Sequence, residues 1–386
     1  MYDVPHLRFP EFGGEWRKYK LAEICSFFSG GTPSSSKKEY YDGNIPFIRS
    51  GELHMDKTEL FITEVGLDNS AAKIVDVGDL LLALYGATSG DIAISQIKGA
   101  INQAILCIRT TQNKKFIESV WKKHVEKLLQ TYLQGGQGNL SADIVKNISF
   151  YFAESNEQIK LAKFITLLDE RIATQNKIIE DLKKLKSAIS QHLFSQEPNV
   201  WNRLDNLFVK GKAGGTPIST NKEYYNGNIP FLSINDITRQ GKYIWLTEKH
   251  ISLNGLENSS AWIVPKHSLI MSMYASVGLV TINQVPIATS QAMFSMLLRD
   301  KSLLDYLYYY LSYFKYRHIH KYLETGTQSN INADIVSGIM IPDYGYRHNM
   351  QIASMLQSID MKIDNESSIL ERYSQQKNDL LSSLFI

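Results

Sequence analysis

Residues 30–47 read GGTPSSSKKEYYDGNIPF, and residues 214–231 read GGTPISTNKEYYNGNIPF. Fourteen of these eighteen positions are identical at a constant separation of 184 residues. Two further blocks recur with small insertions, because Gln103-Ala104 returns at 291–292 and residues 139–145 return at 330–336. The chain therefore contains two copies of one unit, which predicts a pseudo-symmetric molecule that performs one task twice.

Length and composition agree with two globular domains. The chain has 386 residues, of which 44% are hydrophobic and 21% are charged, as in ordinary folded proteins. It has no apolar run of the length that spans a bilayer, and its first residues lack the layout of a signal peptide. We therefore expect a cytoplasmic protein with no membrane partner. The two cysteines, Cys25 and Cys107, have no paired spacing and are expected to be small core residues.

The charge balance limits how the chain can bind nucleic acid. The net charge is +2, with −1 for residues 1–155, +2 for 156–195, +2 for 196–345 and −1 for 346–386. Clustered Lys and Arg supply most of the non-specific affinity of proteins for DNA. A DNA-binding protein with this balance would need a partner to strengthen its grip.

Each half consists of a globular part and a helical part. Residues 1–154 and 197–346 contain short strand-like runs between turn residues, such as 45–48, 79–84, 269–273 and 278–282, followed by helical stretches at 115–132 and 303–322. These patterns predict a mixed α/β (α+β) domain in each half.

The helical parts, residues 155–196 and 347–386, have the apolar spacing of a coiled coil. Their stripes are Leu161, Ile165, Leu168, Ile172, Ile179, Leu182, Ile189 and Leu193 in the first, and Ile352, Leu356, Ile359, Ile363, Leu370, Tyr373, Leu380 and Leu384 in the second. A two-fold relation between the halves predicts that these helices pair antiparallel. Lys186 and Lys377 interrupt the two stripes at matching places and are expected to fix the register.

Known catalytic motifs are missing from the sequence. Asn44-Ile-Pro-Phe47 and its copy at 228–231 lack the first proline of the amino-methyltransferase motif Asn-Pro-Pro-aromatic. There is also no Walker A sequence, no His-Glu-x-x-His and no Gly-x-Ser-x-Gly. A role in binding is therefore favoured over catalysis, and no cofactor is expected on this chain.

Candidate contact residues lie in the repeated blocks and between them. Lysines beside tyrosines at 37–41 and 221–225 suit phosphate contact, although an exposed loop above packed tyrosines explains them equally well. The segments 135–139 and 326–330 carry Gln and Asn, which can read adenine edges, but the following residues also resemble turns that cap a short helix. We predict phosphate contacts by Lys37, Lys38, Lys222 and Arg239, and base contacts by Arg49, His54, Thr88, Gln103, Gln137, Asn139, Asn235, Ser276, Gln291, Gln328 and Asn330.

The differences between the copies are also informative. Residues 49–54 read RSGELH where 233–238 read SINDIT, and Ala87-Thr-Ser-Gly90 is replaced by Ala275-Ser-Val-Gly278. A common frame with exchanged polar tips is the pattern expected of two readers of different short sequences.

A known family shares these features. The opening LRFPEF at 7–12, the twinned Gly-Gly-Thr-Pro and Gly-Asn-Ile-Pro-Phe blocks, residues 84–88 and the Leu168-Asp169 and Ile359-Asp360 pairs resemble the specificity (S) subunit of type I restriction-modification systems. The resemblance implies two target recognition domains, at 1–154 and 197–346, separated by two long antiparallel coiled-coil spacer helices, at 155–196 and 347–386. It implies a non-catalytic subunit that reads a bipartite double-stranded DNA target.

The resemblance also implies partners. Two modification subunits would bind S-adenosylmethionine and methylate adenine, and restriction subunits would translocate and cleave DNA with ATP and Mg. Two other interpretations stay open from the residues alone. The chain could be a stand-alone DNA methyltransferase or nuclease, or a pseudo-symmetric scaffold such as a twin carbohydrate-binding protein.

Overall fold

A computed structural model describes residues 4–133, 139–322 and 330–386. The chain divides into two compact units, the first comprising Met1–Asn176 with Ser368–Ile386 and the second comprising Lys177–Ser367. Each unit contains one copy of the repeated sequence together with parts of both long helices.

The first unit is an α+β domain. Its strands are β1 (Arg17–Lys20), β2 (Cys25–Ser29), β3 (Tyr41–Ile48), β4 (Leu60–Ile62), β5 (Lys73–Val75), β6 (Leu80–Ala83), β7 (Ile92–Ile94), β8 (Gly99–Ile101), β9 (Ile105–Thr110) and β10 (Ser149–Phe152). Its helices are α1 (Leu21–Ile24), α2 (Glu64–Asp68), α3 (Lys114–Leu133), α4 (Ala142–Asn147) and the first part of α5 (Ser155–Phe194), with 3-10 turns at Lys38–Tyr40 and Ser50–Glu52.

Two four-stranded sheets form the body of this unit. One has the order β2-β9-β6-β7 and is antiparallel, and the other has the order β4-β3-β8-β5 with a parallel β3–β8 pair. Helix α3 covers the first sheet, where Phe116 and Trp121 are fully buried. Cys107 is buried between the sheets, as expected of a small core residue, and Cys25 is half-buried.

The second unit repeats this plan. Its strands are β11 (Val200–Arg203), β12 (Phe208–Ala213), β13 (Tyr225–Leu232), β14 (Tyr243–Ile244), β15 (Lys249–Ile251), β16 (Ile263–Val264), β17 (Leu269–Ser272), β18 (Val280–Asn283), β19 (Ile287–Thr289), β20 (Met293–Leu298) and β21 (Met340–Asp343). Its helices are α6 (Ile234–Gln240), α7 (Leu253–Glu257), α8 (Leu304–Arg317), α9 (Ala333–Ser337) and the first part of α10 (Tyr346–Leu384), with 3-10 turns at Leu204–Leu207, Lys222–Tyr224, Lys301–Leu303 and Ile319–Lys321.

Its sheets have equivalent strand orders, β12-β20-β17-β18-β14 and β15-β13-β19-β16, and β13 and β19 again run parallel. The second unit differs from the first in its fifth strand β14, added next to β18, and in helix α6. Helix α6 stands where the first unit has only the 3-10 turn at Ser50–Glu52. The expected helix at 303–322 begins at Leu304 and ends at Arg317, where the His318 backbone leaves the helical region with φ of −128°, and a 3-10 turn follows at Ile319–Lys321.

The repeated Gly-Gly pair has a packing reason in each unit. A Cβ on Gly30 would lie 1.7 Å from the Ile101 carbonyl oxygen of β8, and one on Gly214 would lie 1.9 Å from the Thr289 carbonyl oxygen of β19. Only glycine lets the backbone approach the neighbouring strand so closely. The first sequence block that repeats is therefore, in part, a requirement of sheet packing.

The long helices pair antiparallel within each unit. In the first unit, Leu161 and Ile165 of α5 share a core with Leu381 and Leu384 of α10. In the second unit, Ile189 and Leu193 of α5 pack with Ile352 and Leu356 of α10. The early residues of α5 therefore lie beside late residues of α10, and the late residues of α5 lie beside early residues of α10. The antiparallel pairing expected from the duplication is confirmed.

The fold class is confirmed as well, since both units are α+β and each contains segments of the two long helices. The division into target recognition domains and spacer helices at residues 154, 196 and 346 stays a prediction. No helix in the described parts of the chain is long and apolar enough to cross a bilayer.

Candidate nucleic-acid interface

Backbone hydrogen bonds join three segments of the first unit that are distant in sequence. The amide of Leu84 donates to the carbonyl oxygen of Ala104 at 2.8 Å, and the amide of Leu140 donates to that of Leu84, also at 2.8 Å. A fourth segment joins them through Thr32, whose hydroxyl donates to Gln103 Oε1 at 2.5 Å. These bonds bring the predicted contact residues Thr88, Gln103 and Asn139 onto adjoining loops.

The second unit makes the same junction with its own copies. The amide of Met273 donates to the carbonyl oxygen of Ala292 at 2.7 Å, and the amide of Ile331 donates to that of Met273 at 3.1 Å. Thr216 donates its hydroxyl to Gln291 Oε1. We call residues 84–90, 102–104 and 139–140, and residues 273–278, 290–292 and 330–331, the convergent loops of the first and second unit.

Positive backbone angles and a buried tryptophan shape these loops. Gly90 and Gly278 have φ of +86° and +82°, and they lie two residues before β7 and β18 respectively. Trp121 of α3 donates its indole N–H to the Gly90 carbonyl oxygen at 2.8 Å, which ties the loop to the core. In the second unit, Ser276 itself has φ of +51° and is exposed, so a strained turn presents this predicted contact residue.

The alternative that these segments cap short helices is correct, but the capping side chains belong to neighbours of the predicted contact residues. Ser141 caps α4 by accepting from the Ile144 amide at 3.1 Å, and Asn332 caps α9 by accepting from the Ile335 amide at 2.9 Å. Asn139 and Asn330 take no part in the caps, and Asn139 is exposed. Within residues 139–322 and 330–386 and the described part of the N-terminal segment, neither side-chain amide has a hydrogen-bond partner.

Two of the predicted base-contact residues cannot be located in this way. Gln137 and Gln328 lie outside the described residues. Their contact with bases stays a prediction from the sequence.

Arg49 of the first unit is held by carboxylates of its own domain. Its guanidinium donates to Glu52 at 3.0 Å and to Glu59 at 2.6 Å, and hydrogen bonds to these two carboxylates raise the pKa of Arg49 above its ordinary value. Because both of these partners are carboxylates, the guanidinium could contact DNA only by releasing one of them or by binding the carboxylates and the DNA at the same time.

His54 lies closer to the convergent loops. Its Nε2 is 2.9 Å from Asp91, the residue that follows Gly90. Burial opposes ionisation of Asp91, but the hydrogen bond to His54, the nearby charges of His54 and Lys122 and the backbone together outweigh it and lower the pKa of the carboxyl group. The imidazole is more than half exposed, so its other edge can meet a ligand beside the loop.

Helix α6 supplies the matching positions in the second unit. Ser233 caps it and accepts from the Asp236 amide at 3.3 Å, while Asp236 is buried and anchors the helix start. Asn235 and Arg239 are both exposed along this helix. The exchanged sequence at 49–54 and 233–238 thus corresponds to a real structural difference between the units.

The predicted phosphate-contact lysines lie in a separate segment. Lys37 and Lys38 stand at the 3-10 turn Lys38–Tyr40, where the Lys37 Nζ donates to the Tyr40 hydroxyl at 2.9 Å. Lys222 begins the equivalent turn in the second unit and is exposed. The alternative of an exposed loop over packed tyrosine describes this region accurately, because Tyr40 is buried beneath the turn.

Sequence reasoning missed some residues of this region. Thr32 and Thr216 lie in the identical block, yet only the structure links them to Gln103 and Gln291. Trp245 and Leu246 follow α6 and are 60% and 75% exposed, an unusual position for large apolar side chains. Within the described ranges, no cluster of His, Cys, Asp and Glu side chains could hold a metal ion.

Comparison with known proteins identifies the class. The model of the type I restriction modification DNA specificity domain matches this chain twice, at residues 13–184 and 198–372. The chain belongs to this family. The prediction of a type I specificity subunit is thereby confirmed at the level of the family, and the scaffold and stand-alone enzyme interpretations gain no support.

Individual relatives agree. The chain is similar to the MjaVIII specificity subunit of Methanocaldococcus jannaschii, with 21% identity covering 98% of this chain and 93% of that protein. It is 26% identical to the EcoR124I/EcoR124II specificity subunit of Escherichia coli over 46% of each chain.

Among solved structures, its fold is similar to that of the type I system S subunit from M. genitalium. The TM-score is 0.60 at 15% identity, covering 99% of both chains. A chain from a structural study of type I complex assembly gives a TM-score of 0.62 at 16% identity, covering 95% of this chain and 96% of that one.

Proposed function

We propose that this chain is the DNA-reading subunit of a type I restriction-modification complex. Each globular unit would read one half of a bipartite duplex target, and the long helices would set the gap between the halves. The observation that carries this proposal is the convergent loops, which have one backbone frame in both units but different side chains at their tips. A shared frame with different tips suits two readers of different half-sites.

Contacts would divide between positioning and reading. Lys37, Lys38, Lys222 and Arg239 are exposed cations suited to phosphates, which fix register without carrying sequence information. Base edges would meet the tips: Thr88, Asn139 and His54 with Arg49 in the first unit, and Ser276, Asn330 and Asn235 in the second. The predicted residues Gln137 and Gln328 belong to the same proposal.

Chemistry would come from partners. Two modification subunits would bind S-adenosylmethionine and methylate adenine, and restriction subunits would use ATP and Mg to translocate and cleave. The chain itself would be non-catalytic and would work in the cytoplasm. A net charge of +2 over 386 residues supports this division, because the modification subunits could supply the remaining positive surface.

Domain exchange tests the proposal. Residues 197–346 are replaced by the matching domain of another specificity subunit, and methylated adenines are mapped in cells that also express the modification subunits. We expect one half of the bipartite target to change and the other half to stay as in the wild type. Changes in both halves, or in neither, would contradict the proposal.

A second measurement separates this function from the rival enzyme. Purified chain alone is incubated with S-adenosylmethionine and target duplex, and methyl transfer is followed with and without modification subunits. We expect transfer only in the assembled complex. Methylation or cleavage by the chain alone would favour a stand-alone enzyme.

A further inference from the structure

The glutamine of each convergent loop is fixed by a threonine from the identical block. The Thr32 hydroxyl donates to Gln103 Oε1 at 2.5 Å, and Thr216 makes the same bond to Gln291. All four side chains are exposed. Sequence alone placed these glutamines among the base readers, without reference to the threonines.

The backbone holds each threonine rigidly on both sides. Before Thr32, a Cβ on Gly31 would lie 2.6 Å from the Ala71 Cβ, so the chain is pressed against its neighbour. After it, the Tyr41 hydroxyl donates to the Pro33 carbonyl oxygen at 2.6 Å. Tyr225 donates to the Pro217 carbonyl oxygen in the second unit, also at 2.6 Å. The backbone that carries the threonine hydroxyl is therefore held in place in both units.

The glutamine backbone is anchored as well. The amide of Ala104, next to Gln103, donates to Asn102 Oδ1 at 3.0 Å, and its carbonyl oxygen accepts from Leu84. Ala292 donates to Ser290 Oγ at 3.3 Å in the second unit and accepts from Met273. Both partners of the Thr–Gln bond are thus held from the backbone, and in both units the amide oxygen faces the threonine hydroxyl.

This orientation decides what the glutamine can recognise. Bidentate reading of adenine requires the amide oxygen as acceptor and the amide nitrogen as donor. The threonine hydroxyl takes one of the two lone pairs of this oxygen, which leaves both N–H groups of the amide and a single lone pair to face a ligand. Among the described residues, no acceptor binds Nε2 of Gln103 or Gln291. Each glutamine therefore offers two N–H donors outward.

The duplication further limits which group on the DNA each glutamine could contact. The loop tips and the 49–54 and 233–238 segments differ between the units, but the Thr–Gln pair is the same in both. A contact repeated unchanged cannot distinguish two different half-sites. It suits an acceptor that the two half-sites have in common, and the phosphate oxygen, which every nucleotide carries, is the strongest such acceptor on DNA.

We propose that Gln103 and Gln291 are phosphate-contacting residues and that Thr32 and Thr216 are their positioning residues. This inference rests on the proposed function, and it reassigns the two glutamines from reading bases to setting the register of each unit on the DNA backbone. The differing side chains around them would then read sequence from a fixed distance.

The test measures binding of the assembled methyltransferase complex to a duplex with its mapped target and to duplexes with single base changes. In Gln103→Leu, the donors are lost, and we expect affinity to fall by about tenfold or more for all duplexes alike, since hydrogen bonds to charged groups are among the stronger ones. The ratio of affinities between target and altered duplexes should stay that of the wild type. Gln291→Leu should behave in the same way.

Further variants separate contact from positioning. Gln103→Glu keeps an acceptor for Thr32 but presents a negative charge, so it should bind more weakly than Gln103→Leu. Thr32→Val should lose about two- to tenfold, as expected for one neutral hydrogen bond, and Thr32→Ser should restore binding. In the double variant Thr32→Val/Gln103→Leu, affinity should equal that of Gln103→Leu, because Thr32 acts through Gln103. Gln130→Leu, on the exposed face of α3, is the matched control.

Each outcome is decisive. A changed base preference in either glutamine variant would make that residue a base reader and overturn the inference. Unchanged affinity in both Gln103→Leu and Gln291→Leu would overturn it too. So would a loss of affinity in every variant that is accompanied by the same fall in the melting temperature of each, because the loss would then come from unfolding. If the wild-type complex methylated no bipartite target, the proposed function would be wrong, and this inference would fail with it. If the wild-type complex methylated such a target but the glutamine variants bound DNA with unchanged affinity, only this inference would be refuted.

Discussion

Lys377 of α10 forms an ion pair with Asp169 of α5 at 2.5 Å in the first unit. The second unit contains the inverse arrangement, in which Lys186 of α5 pairs with Asp360 of α10, also at 2.5 Å. In each unit, a lysine that interrupts one apolar stripe meets an aspartate of the other helix. These pairs explain why both stripes tolerate a charge at matching places, and they agree with a role in fixing helix register.

Removing the carboxylate of Asp169 should weaken the first unit. Burial opposes ionisation of Asp169, but Lys115 and Lys377 together lower the pKa of the carboxyl group below its ordinary value. A lowered folded-state pKa gives stability that is complete above the pKa of the unfolded chain, about 3.9, and that is lost as pH falls through the folded value. We expect Asp169→Asn to cost about 1–3 kcal/mol at pH 7 and much less near pH 2.

Chemical denaturation at the two pH values measures this difference. Asp181→Asn is the control, because Asp181 is 57% exposed and its pair with Lys184 spans 3.8 Å on one helix. Such surface pairs contribute less than about 0.5 kcal/mol. An equal loss for both variants would argue against a structural role of the interhelical pair.

The close approach at Gly30 should be intolerant of any side chain. Gly30→Ala places a Cβ within 1.7 Å of the Ile101 carbonyl oxygen, so β8 or the loop must move. We expect a loss of about 1–3 kcal/mol or more in unfolding free energy, as for other overpacked sites. Gly51→Ala is the matched control, since nothing lies within 4 Å of its added Cβ. Equal melting temperatures for the two variants would contradict this account.

Arg8 should be important for stability despite its place near the N-terminus. It donates to both carboxylate oxygens of Glu157, at 2.8 and 2.7 Å, and Glu157 is only 1% exposed. Arg8→Ala leaves a buried carboxylate without its cation, which should cost about 3–5 kcal/mol.

Two variants show whether the lost partner is the cause. The Trp16 indole N–H also donates to Glu157, at 3.2 Å. Arg8→Ala/Glu157→Gln should recover part of the stability, because a neutral amide costs less to bury and its oxygen can still accept from Trp16. Lys160→Ala should cost less than about 1 kcal/mol, because Lys160 and Glu11 are both 45% exposed. Thermal unfolding that ranks Lys160→Ala with Arg8→Ala would refute the explanation.

The helices should act as a ruler under the proposed function. A heptad inserted into both α5 and α10 adds about 10 Å of helix and keeps the apolar stripes in phase. With a rise of about 3.4 Å per base pair, the gap in the methylated target should lengthen by about three base pairs. Methylome sequencing reads this gap directly, and an insertion in α5 alone, which breaks the register of its pairing with α10, should abolish methylation. An unchanged gap in the variant with both insertions would exclude the hypothesis that helix length sets the gap between the half-sites.

Several features of this protein followed from its sequence. The duplication, the α+β class, the long helices and their antiparallel pairing were all predicted, because each depends on local periodicity or on a repeat that any fold must respect. The positions of the predicted strands at 45–48 and 269–273 agree with β3 and β17. Small errors occurred at element ends, as in α8, which ends at Arg317 where the His318 backbone leaves the helical region.

Only the tertiary structure decided how the candidate contact residues are arranged. Hydrogen bonds join position 32 to 103, 84 to 104 and 140 to 84, between segments that no local pattern relates. The same is true of the carboxylates that engage Arg49 and of the threonines that occupy the oxygens of Gln103 and Gln291. Sequence determines which groups are available, but a side chain's free donors and acceptors depend on which distant neighbours the packed chain brings to it.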